Sequence, residues 1–328
     1  MVETGVPMSV APLSAVSSSV DRWTHPAVIL VATNLSDQDR LMPLGLNMAR
    51  ETGARLILLH ALPASASLTV DLTGMPYYDP AGAMDFARKT LEPWCEQARK
   101  SGIVCEGLVR EGHAGQEIIS AARQFRADRL LLGTRSRSKL GKLLLGSVAE
   151  QVLRSVNLPV ITVGPEAHLP APGSDVKTVL LATTLGETSR PSAVLACQAA
   201  ASQHARLELL HVLPPVSEME RQGMPTGLDS AALRELRKLA EETSCGCSTE
   251  IEAKVLHGNP AVEILAEASA GGASLIILGA THRSAFENLT RDRTVYRVLA
   301  HARCPVLTLR VPEEKPLHAE AASYAVHL

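Results

Sequence analysis

Short, nearly unbroken apolar runs alternate along this chain with longer stretches in which apolar residues return every three to four positions. Ala27-Val28-Ile29-Leu30-Val31-Ala32 is such a run, and it predicts a strand covered on both faces, as strands of parallel sheets are. Beyond it Asn34 and Ser36 serve as turn and cap residues. Leu41, Leu44 and Met48 then share one helical face, and Gly53 ends the helix. Pro43 suits a first helical turn and predicts a start just before it. The pattern continues with strands over 55–60, 103–109, 129–132 and 159–163, and with helices from about 83 to 100 and 116 to 124. A last helix opens at Gly146-Ser147. The stretch from Pro63 to Pro80, rich in Ser, Thr, Gly and Pro, predicts a surface loop.

The whole order then repeats. Arg206 to Pro214 (RLELLHVLP) echoes Arg55 to Pro63 (RLILLHALP), and Val179 to Thr184 echoes the first strand. Gly133 and Gly279, like Pro159 and Pro305, lie 146 positions apart, so the ends of the two halves align without a gap. Strands alternating with helices, twice over, predict two tandem α/β domains with parallel sheets. The expected boundaries are a flexible tail over 1–24, a first domain over 25–168, a linker over 169–175, a second domain over 176–312 and a tail over 313–328.

Composition narrows the function classes. The 328 residues carry a net charge of −2 and only 3% aromatics, which gives neither the basic surface nor the stacking platforms of a nucleic-acid protein. No apolar run approaches the roughly 20 residues of a membrane span. Met1 to Ser19 lacks the basic start of an export signal, so the six scattered cysteines read as reduced thiols of a cytoplasmic protein. Cys245-Gly246-Cys247 could hold a metal or form a redox pair, but four-ligand zinc spacing is missing.

The chemistry concentrates in Gly133-x2-Ser136-x9-Gly146-Ser147. Gly133 ends a buried strand, and ligands of open α/β sheets sit at the carboxyl ends of strands. Gly146 allows close backbone approach, Ser147 begins a helix whose exposed amides favour an anion, and Arg135, Arg137, Lys139 and Lys142 add positive charge. A structural reading fits the same residues. Ser147 and Glu150 spell the S-x-x-E capping box, which would satisfy the helix end without a ligand, and Gly133 and Gly146 could be turn glycines. The two readings are compatible, because a cap hydroxyl can also donate to phosphate.

Several motifs, in one order and twice, resemble the universal stress protein family: Ala32-Thr33-Asn34 at the end of the first strand, Leu58-Leu59-His60-Ala61-Leu62, Gly112-His113 and Gly258-Asn259 before helices, and the glycine loop ahead of Leu158-Pro159-Val160 or Cys304-Pro305-Val306. The resemblance covers residues 25–165 and 176–311. It implies a Rossmann-like, five-stranded α/β sandwich in each half, with the last strands pairing the halves as an intrachain pseudo-dimer. In one subclass it also implies bound ATP, which could carry Mg. By position, Thr33, Asn34 and Ala61 would then meet the adenosine end, Ala61 through its backbone. Leu132, Gly133, Arg135, Ser136, Gly146, Ser147 and Val148 would surround ribose and phosphates. The family's first-strand Asp is Asn34 here, which keeps hydrogen bonding and loses charge, and its second loop glycine is Ser136. The second half departs further, with Thr184, His282 and Asp292-Arg293 at the corresponding places. Asp292 there reads as a helix cap, so ATP is expected in the first half alone.

His60 and His211 end equivalent strands and read as histidines bonded to backbone. No nucleophile stands beside a base at recognisable spacing, and neither HExxH nor a Walker GxxxxGK[ST] is present. No catalytic residue or resident metal is therefore expected, and bound ATP would be retained or slowly turned over. The expectation is a stress-response sensor or regulator binding ATP in its N-terminal half. Its partners would be the adenine nucleotide, a protein not identifiable from sequence, and, in a homodimer, a second copy. A scaffold whose loops are only caps is the alternative, and an adenine-nucleotide-dependent enzyme of a related α/β superfamily is a third reading.

Overall fold

The computed structural model describes residues 22, 24–63, 68–70, 76–134, 145–168, 177–186, 188–217, 227–243, 249–281 and 293–311. The first half runs β1 (Val28–Ala32), α1 (Gln38–Thr52), β2 (Arg55–Leu62), β3 (Leu68–Val70), β4 (Pro76–Tyr78), α2 (Pro80–Lys100), β5 (Cys105–Glu111), α3 (Ala114–Gln124), β6 (Arg129–Gly133), α4 (Ser147–Ser155) and β7 (Val160–Val163). The second half runs β8 (Thr178–Ala182), α5 (Ser189–Ser202), β9 (Arg206–Leu213), α6 (Leu228–Thr243), β10 (Ile251–His257), α7 (Pro260–Ala270), β11 (Ala273–Thr281), α8 (Arg293–His301) and β12 (Val306–Val311).

Each half orders its strands alike, β5-β2-β1-β6-β7 and β10-β9-β8-β11-β12, with every internal pair parallel. The apolar runs are apolar because both faces of the sheet are covered. Ile29 and Val31 enter one hydrophobic layer with α1, α2, α5 and α6, whereas Leu30 and Ala32 enter the other with α3, α4, α7 and α8. Each buried Val, Leu or Ile side chain among them contributes about 1.5–3 kcal/mol.

The halves join through their last strands. β7 and β12 run antiparallel, with Thr162 opposite Val306, Ile161 opposite Leu307 and Val160 opposite Thr308. The Thr162 and Thr308 hydroxyls donate across the seam to the Val306 and Val160 carbonyls at 3.2 and 3.3 Å. One ten-stranded sheet results, and the intrachain pseudo-dimer is real.

Some local details differ from the pattern. α1 begins at Gln38, so Pro43 lies inside it. The hydrogen bond Pro43 forgoes belongs to the Asp39 carbonyl in the exposed first turn, where water can replace it. Gly53 ends α1 with φ 72°, a left-handed conformation suited to glycine. The expected loop over 63–80 contains the antiparallel pair β3–β4, and Asp79 caps α2 through Gly82 N at 2.8 Å. Before residue 25, Arg22 already pairs with buried Asp128 at 2.6 Å. Cys245-Gly246-Cys247 and the linker over 169–175 lie outside the described residues. Among the described residues no helix is long and apolar enough to cross a membrane.

Candidate functional site

The chain leaves β1 toward β2 and β5 on one side, but β6 and β7 lie on the other. The crevice between the carboxyl ends of β1 and β6 is therefore the topological switch point of the first half, where such sheets bind ligands. Thr33 and Asn34 follow β1, Ala61 ends β2, and Leu132 and Gly133 end β6. The chain returns to this edge after the loop, where Gly146 N donates to the Thr134 carbonyl at 3.2 Å. Gly146, Ser147 and Val148 thus meet the other candidates at one sheet edge. Arg135 and Ser136, with Arg137, Lys139 and Lys142, lie outside the described residues.

The capping box does not form. Gly146 itself takes the N-cap position of α4, with φ −66° and ψ 144°, and offers no side-chain cap. Ser147 is the first helical residue, one place too late to cap, and Glu150 pairs with Arg154 on its own helix at 2.7 Å. Among the described residues no acceptor meets the N–H groups of Ser147, Val148 and Ala149. These donors and the positive helix end face the switch-point crevice, a site suited to an oxyanion.

Asp37, absent from the sequence expectations, is a buried carboxylate in the same crevice. It occupies the N-cap position of α1 without capping it, which corrects the assignment of the cap to Ser36. Its Oδ1 instead accepts from Thr33 Oγ1 at 2.6 Å and from Asn34 N at 3.3 Å. Asn34 turns its Oδ1 to Ser36 N and Oγ at 2.9 and 2.8 Å, forming an Asx-turn. The only trace of Asp37 in the sequence is the i, i+4 spacing of Thr33 and Asp37.

Asp37 also explains Gly133. A Cβ at 133 would stand 2.6 Å from Asp37 Oδ2, so this glycine makes room for a neighbouring side chain. In the second half a Cβ on Gly279 would meet Ser192 Oγ at 2.7 Å and Thr188 Oγ1 at 2.8 Å. Both strand-end glycines are packing requirements, so their recurrence in the two halves does not mark a ligand site. Alanine at either strand-end glycine should therefore cost about 1–3 kcal/mol of stability by overpacking. For Gly133→Ala, denaturant unfolding should show partial recovery on adding Asp37→Ala. Strict additivity would contradict this account.

His60 and His211 behave as expected of structural histidines, their Nδ1 atoms lying 2.9 and 2.8 Å from the carbonyls of Thr33 and Thr183. In the second half Thr183 Oγ1 bonds Ser189 Oγ at 2.7 Å, and Glu187, at the place of Asp37, lies outside the described residues. Thr184 is exposed, while His282 and Asp292 lie outside the described residues. A separate cavity of about 680 Å³ spans the seam between α1 and α5 and is lined by Glu51, Arg129, Lys177, Leu195 and Leu307. Arg129 starts β6, so this cavity lies at the opposite end of that strand from Gly133.

The profile of the Universal stress protein family matches residues 27–164 and again 175–310. A universal stress protein of Bacillus subtilis is 29% identical over 144 residues, 41% of this chain and 97% of that protein. A universal stress protein of Mycolicibacterium smegmatis is 23% identical over 310 residues, spanning 89% of this chain and 99% of its own. The crystal structure of a universal stress protein from Archaeoglobus fulgidus superposes with a TM-score of 0.64 at 22% identity, covering 87% of this chain and 98% of that one.

Proposed function

This chain belongs to the universal stress protein family through both of its halves, and on that premise we propose that its first half binds ATP while its second does not. The protein then acts as a stress-response regulator that senses the nucleotide. The observation that carries this reading is the uncapped amino end of α4 at the switch point, opened by Gly146. Backbone N–H groups of Ser147 to Ala149 would hold the phosphates, with Thr33 and Ala61 at the adenosine end. Asn34 would contribute hydrogen bonds without charge. Lacking a Walker lysine, the site offers little to stabilise a transferring phosphoryl group, so turnover should fall well below the roughly 1–100 s⁻¹ of kinases.

The test is direct. Purified protein is examined for co-purifying nucleotide and melted with and without Mg-ATP. At about 100 times the dissociation constant, ATP should add about 2.7 kcal/mol. No shift at saturating Mg-ATP would leave the scaffold reading, which one observation favours: the buried Asp37 carboxylate would repel a phosphate placed near Gly133.

A further inference from the structure

The second half sends one side chain into the first half's glycine loop. Tyr296, on α8, accepts the backbone N–H of Leu145 at 3.2 Å, and Leu145 immediately precedes Gly146. The contact is embedded in the seam. Leu145 is buried in a hydrophobic layer that also contains Val295, Val298 and Leu299 of α8, with Tyr296 packed against it. Nearby, His168 N donates to the Arg303 carbonyl at 2.8 Å, and a Cβ on Gly164 would lie 3.4 Å from the Ala302 carbonyl oxygen. The turn after α8 is thus fixed against the segment that follows β7.

The first half carries no tyrosine at the corresponding place. The residue of the first half corresponding to Tyr296 is Glu150, which is engaged with Arg154 on its own helix. Accepting from Leu145 also leaves the Tyr296 O–H proton without an acceptor among the described residues.

We propose that Tyr296 is a positioning residue for the first half's phosphate site, held in place by a second half that binds no nucleotide itself. By fixing Leu145, it holds Gly146 and the amides of Ser147 to Ala149 in the geometry a phosphate needs. Such pre-organisation spares the loop its ordering cost on binding. This rests on the reading of the first half as an ATP site. It accounts for a second half that keeps the fold and lacks the loop.

The test compares wild type with Tyr296→Phe, which keeps the ring and removes one hydroxyl. Calorimetric titration with Mg-ATP and with adenosine, together with hydrogen exchange at the Leu145 amide, separates the possibilities. About fivefold weaker ATP binding is expected, the effect of one typical hydrogen bond, with adenosine affinity unchanged, Leu145 exchange accelerated and the nucleotide-free melting temperature lowered by only a few degrees, because the Leu145 N–H loses its acceptor. An equal loss for both ligands, or no loss for ATP, overturns the proposal. Should wild type bind no ATP, the reading of the site fails on its own. Leu145 exchange then decides: acceleration in Tyr296→Phe upholds the positioning of the loop, and unchanged exchange overturns it.

Discussion

Gly146→Val is expected to abolish the ATP-dependent thermal shift while lowering the nucleotide-free protein's melting temperature by only a few degrees. The two halves of this expectation have separate causes. Gly146 sits at φ −66° and ψ 144°, extended backbone that valine adopts without strain, so the substitution costs the free protein only about 1 kcal/mol, for the poorer N-cap. Its hydrogen bonds are backbone bonds, from its own N–H to the Thr134 carbonyl and from Glu150 N to its carbonyl, and valine retains them. What changes is the approach to the amino end of α4. A branched side chain at the N-cap stands between the amides of Ser147 to Ala149 and any phosphate drawn to them.

Losing phosphate contact of this kind should weaken ATP by at least about a hundredfold, or about 2.7 kcal/mol. Adenosine should lose much less. The measurement is calorimetric titration of both ligands against wild type and variant, with melts of the free proteins as control. Wild-type ATP affinity in the variant would remove the glycine loop from the site. An equal loss of both ligands, with a melting temperature lowered well beyond a few degrees, would show that Gly146 supports the fold instead.

The sheet was legible in the chain because a parallel strand covered on both faces has no polar alternation to hide it, as Val28–Ala32 shows. The doubling was legible too, since RLILLHALP and RLELLHVLP need no structure to be matched. Side-chain direction was not. Asp37 looks like any residue ahead of a helix, and its turn toward Gly133 depends on a strand end almost a hundred positions away. The S-x-x-E pattern at Ser147 failed by one residue, because a capping box needs its serine outside the helix and Gly146 already holds that place. Nor could Tyr296 be assigned to the first half before β7 and β12 were seen to pair.

That same doubling identifies a costly set of charges in the second half. Ile57, Leu108 and Ala121 contribute to an apolar layer of the first half. At the matching positions, by the register of β9, β10 and α7, stand Glu208, Lys254 and Glu267. Lys254 Nζ lies 2.6 Å from Glu267 and 3.8 Å from Glu208, whose side chain is only 3% exposed. Glu208 Oε1 makes no hydrogen bond. Burial, and then the charge of Glu267, raise the Glu208 pKa above the usual carboxylate value, with Glu252 adding to the rise and Lys254 and Arg206 opposing it. Lys254→Met should therefore cost about 3 kcal/mol, by leaving two carboxylates facing each other with little solvent, and thermal denaturation should show a fall of roughly 6–12 °C. Because a raised folded-state pKa means that the native protein holds the proton more tightly than the unfolded chain, stability falls as pH rises through that raised pKa. The loss in Lys254→Met should accordingly be greatest at neutral pH and shrink as acid protonates Glu208. The converse variant restores the first half's residues together, as Glu208→Ile with Lys254→Leu and Glu267→Ala. It should be neutral or gain about 1–4 kcal/mol and lose that part of the pH dependence. A large destabilisation of this triple variant would mean that the charges are held by contacts the first half does not make.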